Sequence, residues 1–192
     1  AYLTELENLS RHGGGQLDGD TIISEESWTA AVYAAGGAVA AVEAIASGRL
    51  SDCISMVLAR PPGHHAFPSR GSGFCLLNNI AIAAMSARRR FGINRIVIID
   101  WDVHHGNGTQ AIFDTDPDVF YISIHQYPHY PGTGVADDIG GFVSSGSSQT
   151  ATRLNIPLPP GCGDTEYLGA FDEIIIPAVR RYKPELVLVS AG

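Results

Sequence analysis

The sequence is short of charge, short of cysteine and without a long unbroken apolar run. Charged residues make up 17% of the 192, and the balance is negative: 12 Lys and Arg against 20 Asp and Glu, a formal net charge of −8. A chain of that sign lacks the basic surface that draws nucleic acid or an anionic membrane, so neither is expected as a partner. The cysteines, Cys53, Cys75 and Cys162, are scattered and form no C-x-x-C pair. That argues for free thiols in a reducing compartment such as the cytoplasm. The opening "AYLTELENLS" is polar and amphipathic, unlike a secretory leader. The apolar stretches read as too short, or too interrupted by Gly and Ser, to span a bilayer.

What is present describes a folded chain. Hydrophobic residues reach 45%, enough for a real core, and 22 Gly with 11 Pro predict many ordered loops. Residues 1–11 read as helix, 12–23 as a glycine-rich loop and 24–48 as a long Ala-rich helix. Ser24 is the expected N-cap of that helix and Gly48 its stop. "CISMVLAR" (53–60) reads as a buried strand ended by Pro61. Residues 76–90 return to helix, with three arginines at the end the dipole favours. "RIVIID" (95–100) is a second strand, 107–113 a short helix and 118–126 a third strand. Residues 126–150 read as loop, 151–159 as a fourth strand, 164–182 as helix and 185–192 as a fifth strand. Apolar strands alternating with helices predict one α/β domain, a mainly parallel sheet between helical layers. In such sheets the site lies beyond the carboxyl ends of the strands. "RPPGHH", "DWDVHH" and "SIHQ" each follow a strand end.

Asp102 and His104 stand two apart, so in an extended segment their side chains face the same way. One carboxylate and one imidazole can then reach a single ion, and zinc takes that mixed set. A lone Asp-x-His is more often a satisfied turn. Here Asp100, His105 and a Gly-Asn-Gly follow a buried strand with it, which favours the metal. The tandem His64–His65 sits in a loop stiffened by Pro61 and Pro62. Imidazoles there suit proton transfer to and from water and a leaving amine.

"RPPGHHA", "GFCLLNNIAIAA", "IDWDVHHGNGTQAIF", "YISIHQYPHYPGTG" and "PELVLVSAG", in that order, resemble the zinc-dependent histone deacetylase superfamily, in wording closest to bacterial and class II-type members. The resemblance implies the arginase/deacetylase fold and an amidohydrolase acting on acyl-lysine or a related N-acyl amine. It implies Asp102 and His104 as zinc ligands and His64 and His65 as the catalytic pair, with His65 the main base and acid. Asp100 would hold His64, and Asn107 would orient His65. It also implies a structural potassium (or sodium) ion on Asp100, Ser123 and the carbonyls of Asp102, His104 and Ile124. A weaker cation site would use the carbonyls of Phe113, Asp116, Val119 and Thr152. Gly73, Phe74 and Tyr130 match the acyl-lysine channel, and Asp20 matches a rim aspartate only with a one-residue shift. His125 and His129 read as supporting loop histidines. Expected partners are an acyl-lysine peptide or protein, or a small N-acyl amine, with a homo-oligomer left open.

The family's third zinc ligand follows "SAG" and its transition-state tyrosine comes later. The 192 residues therefore read as a single partial domain, lacking N- and C-terminal parts, with little expected activity alone. Two alternatives accompany this reading. One is a catalytically inactive fragment or degenerate member that only binds. The other is a binuclear manganese ureohydrolase, disfavoured because Gly106 stands where D-x-H-x-D requires an aspartate.

Overall fold

The computed structural model describes residues 1–50, 54–138, 140, 142–145 and 148–192, with 142–145 and 148–150 described by backbone alone. The chain divides into two compact units, Ala1–Gly92 and Ile93–Gly192.

The first unit is helical. α1 (Tyr2–Arg11) is followed by a two-residue antiparallel pair, β1 (Gly15–Gln16) and β2 (Ile22–Ile23), then by α2 (Ser27–Ala46) and α3 (Asn79–Phe91). α2 starts three residues later than the sequence suggests, and Ser24 does not cap it. Ser24 instead closes a turn, accepting the Ser27 N–H on its carbonyl at 3.1 Å while its own N–H donates to Ser27 Oγ at 2.9 Å. α3 also starts late, because the Asn78 side chain accepts the Ala81 N–H and caps it there. Gly92, at φ 68°, ends it. α2 and α3 pack through small residues. Ala31, Ala34 and Ala35 are buried on one helix, and Ala81, Ala83, Ala84 and Ala87 on the other. Glu43 and Arg90 pair across them. A second cluster joins Leu6, Ile23, Ala31 and Leu76. By length and composition α2 could cross a bilayer, contrary to the sequence expectation, although core helices pass the same test.

Residues 54–60 form no strand, also contrary to expectation. Ile54, Met56 and Leu58 are 79%, 78% and 85% exposed, and no described strand pairs with them. An apolar run asks for burial, but a strand exists only where a neighbour supplies its hydrogen bonds. Cys53 lies outside the described residues.

The second unit holds a four-stranded, all-parallel sheet rather than the five strands expected. Its strands are β3 (Ile96–Asp100), β4 (Val119–Gln126), β7 (Arg153–Leu158) and β8 (Leu186–Ser190), in the order β7-β4-β3-β8. α4 (Asn107–Phe113) follows β3 with the bounds read from the sequence. Part of the expected 126–150 loop is an antiparallel pair, β5 (Phe142–Ser145) and β6 (Ser148–Ala151). The expected last helix is three pieces: α5 (Asp164–Ala170), a π-helical turn (Phe171–Ile175) and α6 (Ile176–Tyr182). Pro177, which has no N–H, lies just beyond the turn, where a regular ladder would leave a gap.

The strands alternate strictly. Val97 and Ile99 on β3, with Phe120, Ile122 and Ile124 on β4, pack with Ile156, Ala170 and Ile175. By the period of two, Asp100, Tyr121, Ser123 and His125 share the opposite face, and all four are buried. One face of the sheet is therefore apolar core. The other carries polar side chains toward the carboxyl ends of β3 and β4.

Candidate active site

In the first unit, the "PPGHH" loop is held by the start of α3. Asn78 Nδ2 donates to the Ala66 carbonyl and Asn79 Nδ2 to the Pro61 carbonyl, each at 3.1 Å. The Ala66 N–H closes a turn on the Gly63 carbonyl at 3.0 Å. A Cβ on Gly63 would lie 2.6 Å from the Asn79 nitrogen, so only glycine fits this close approach. The turn buries His64 and His65, with ring centroids 4.0 Å apart and planes tilted by 47°. Two imidazoles in contact and out of water suit the shuttling of one proton.

Gly73 and Phe74 follow in successive left-handed conformations, φ 55° and 67°. For a phenylalanine this backbone is strained, and the residue is 61% exposed. The Phe74 N–H donates to Thr21 Oγ1 at 3.1 Å, and Thr21 Oγ1 donates to Asp20 Oδ1 at 3.2 Å. Asp20, matched only with a one-residue shift, and Phe74, matched directly, are thus joined through Thr21. They line a cavity of about 420 Å³ together with Arg60, Pro61 and Pro62.

In the second unit, Asp100 ends β3 fully buried. Tyr121 donates its hydroxyl to Asp100 Oδ2 at 3.1 Å, and the Asp102 N–H approaches Oδ1 at 3.3 Å. Burial, reinforced by the Asp100 charge, pushes the Tyr121 phenol well above its ordinary range, so it stays a donor. Ser123 and Ile124 are buried on β4, and the Ser123 hydroxyl meets His125 Nδ1 at 3.0 Å. Asn107 opens α4.

Asp102 Oδ1 accepts the His104 N–H at 2.7 Å and lies 3.1 Å from His104 Nδ1. A carboxylate oxygen and an imidazole nitrogen this close fit two ligands of one zinc ion. Among the described residues no group of three or more His, Cys, Asp and Glu gathers at one point. Above the pair lie His129, stacked on His104 at 4.9 Å, and Tyr130, edge-on to it at 5.9 Å. The end of β8 arrives beside them. Trp101 N–H donates to the Ser190 carbonyl at 3.0 Å, and a Cβ on Gly192 would lie 3.1 Å from Asp102 Oδ2.

A buried layer lies under this loop, and His125, expected in a loop, belongs to it from within β4. His105 and His125 are almost inaccessible, 4.8 Å apart, and carry Thr133 and Gly134. Doubled histidines at 104–105 were the available signal, but their partners are remote in sequence. Burial pushes the His125 imidazole below its ordinary range, favouring the neutral ring.

A family model described as the histone deacetylase domain matches residues 1–192. A probable deacetylase of Archaeoglobus fulgidus is 46% identical over 191 residues, covering all of this chain and 51% of that protein. A histone deacetylase-like amidohydrolase of Pseudomonas aeruginosa is 43% identical over 192 residues, again covering this chain and 49% of that protein. The crystal structure of the HDA15 HD domain superposes with a TM-score of 0.91 at 37% identity, over the whole chain and 54% of its own length. The chain thus has that fold and spans about half the length of these relatives.

Proposed function

Because the chain belongs to the histone deacetylase domain family, we propose that it is the metal-binding, proton-transferring part of a zinc-dependent amidohydrolase that removes acyl groups from lysine side chains or related amines. The observation that carries this reading is the convergence of Asp102 and His104 just past the buried end of β3. Asp102 and His104 hold zinc. When bound, zinc supplies Lewis acidity toward the amide carbonyl and toward water. His65 takes the proton from the attacking water and later delivers one to the departing amine, with His64 sharing the charge. Asp100 and Asn107 keep the positioning roles that the resemblance gives them. Asp100, Ser123 and the carbonyls of Asp102, His104 and Ile124 hold a potassium or sodium ion. Gly73, Phe74 and Tyr130 border the acyl chain, and Asp20 takes the substrate backbone.

The test, made on a complete domain carrying these residues, is turnover of an acetyl-lysine peptide, and of small N-acyl amines, with zinc supplied. His65→Ala is expected to lower turnover about 10²–10⁴-fold. Asp102→Ala is expected to abolish zinc retention. Zinc retained at one equivalent with no turnover of any substrate would favour the binding-only reading.

A further inference from the structure

We propose that His105 and His125 are positioning residues, two buried imidazoles that lock Thr133 and Gly134 in place and so hold His129 and Tyr130 against His104.

The order of protons can be followed from one end. Asp138 is a carboxylate and only accepts. Gln110 Nε2 donates to its Oδ2 at 2.9 Å, which fixes the Gln110 amide with its oxygen turned the other way. That oxygen lies 3.0 Å from His105 Nε2, so His105 carries its proton on Nε2 and donates. The other ring nitrogen, His105 Nδ1, meets the Thr133 hydroxyl at 2.8 Å. His125 is fixed more simply. Its Nε2 faces the Gly134 carbonyl at 2.9 Å, and a carbonyl can only accept. Nε2 therefore bears the proton, and Nδ1 accepts the Ser123 hydroxyl at 3.0 Å.

The network is anchored from several elements. Asn155 on β7 donates to Gln110 Oε1 at 2.8 Å and to the Asp138 carbonyl at 3.0 Å. Arg153 binds Asp138 Oδ1 through Nε at 2.8 Å. Gly134 then rests on both rings. At φ +84°, a Cβ there would fall 2.6 Å from His125 Nε2 and 2.7 Å from His105 Cδ2. The loop leaving β4 is thus pinned at residues 133 and 134, and His129 and Tyr130 lie in the span between β4 and that pin. A ring stack at the surface is weak alone and needs such a constraint to persist.

The consequence for catalysis rests on the reading of His104 as a zinc ligand, but the geometric claim does not. It is therefore tested on the metal-free chain, by NMR of histidine-labelled protein at neutral pH. The parent is expected to show both His105 and His125 as Nε2–H tautomers, and the ring C–H signals of His104 and His129 shifted upfield by their stacking. Thr133→Val, which removes the hydroxyl and keeps the shape, is expected to retain a cooperative melt yet move both ring signals toward those of a free histidine. Thr133→Ser is expected to restore them. Ring signals unchanged in folded Thr133→Val would overturn the proposal. Should that variant not fold, the parent decides alone: mixed tautomers at either buried histidine, or no stacking shift, overturn it. Failure of the deacylase reading would show in the turnover assay and leave these signals untouched.

Discussion

Two stretches of this chain are alike as text and unlike as structure. "CISMVLAR" and "RIVIID" are both short apolar runs, and each runs into a loop with adjacent histidines. Residues 96–100 are buried at every position between two parallel neighbours, whereas residues 54–60 are exposed and unpaired with any described strand. The histidines of the second loop rest on a sheet. Those of the first rest on side chains at the N-terminus of α3. Apolarity thus states a demand for burial, and topology decides whether a sheet meets it. A histidine pair can be held rigidly either way.

The comparison yields its largest contrast in the core. Ile98→Ala is expected to lower stability by about 2–5 kcal/mol in urea titration, since Ile98 is fully buried. Leu58→Ala is expected to stay within about 0.5 kcal/mol. A Leu58 loss as large as that of Ile98 would break the contrast, because it would mean that residues 54–60 have a structural partner. Next comes the polar face of the sheet. Tyr121→Phe removes a hydroxyl from the buried Asp100 carboxylate and is expected to cost about 1–3 kcal/mol, read from the same titration. The loop held without a sheet is probed by Asn78→Ala. Losing the α3 cap and the tie to Ala66 is expected to cost about 1 kcal/mol, with faster hydrogen exchange at the Ala66 N–H.

The smallest effect lies at the far end of β3, and it depends on pH. Glu185 accepts the N–H groups of Arg95 and Asn94, and these bonds hold its carboxyl below the ordinary glutamate range. Its contribution is fully present above the unfolded-state value and is lost as pH falls through the folded one. The melting temperature of Glu185→Gln is therefore expected to fall slightly below the parent's at pH 6 and to converge with it in acid. A gap that widened in acid would contradict the sign.

What could be read from the sequence follows the same division. β3 and β4 were legible because parallel strands buried on both faces must be continuously apolar and must end in turns; β7 and β8 kept part of that pattern, although Val187 and Val189 are exposed, and α4 follows a Gly turn. Asp102 and His104 do meet, but through a bend over residues 102–104, in which Asp102 Oδ1 accepts the His104 N–H, rather than through the extended segment that a spacing of two suggested. The hairpin at 142–151 was not, since its Ser-rich strands show no alternation. The bond between Tyr121 and Asp100 was hidden as well. A tyrosine inside an apolar strand reads as packing, and its partner lies 21 positions earlier. Gln110, Asp138 and Asn155 carried no local signal, because each is defined by groups that only folding brings near.

The alternation along β4 also makes its length, more than its composition, the quantity the fold cannot give up. Side chains can be exchanged there one at a time, each at a local cost. Removing a single residue before Tyr121 would turn Ser123 and His125 into the apolar core and present Ile122 and Ile124 to Asp100. Such a deletion would act as an inversion of the sheet at that strand, leaving every residue after it in place in the sequence and on the wrong side of the molecule.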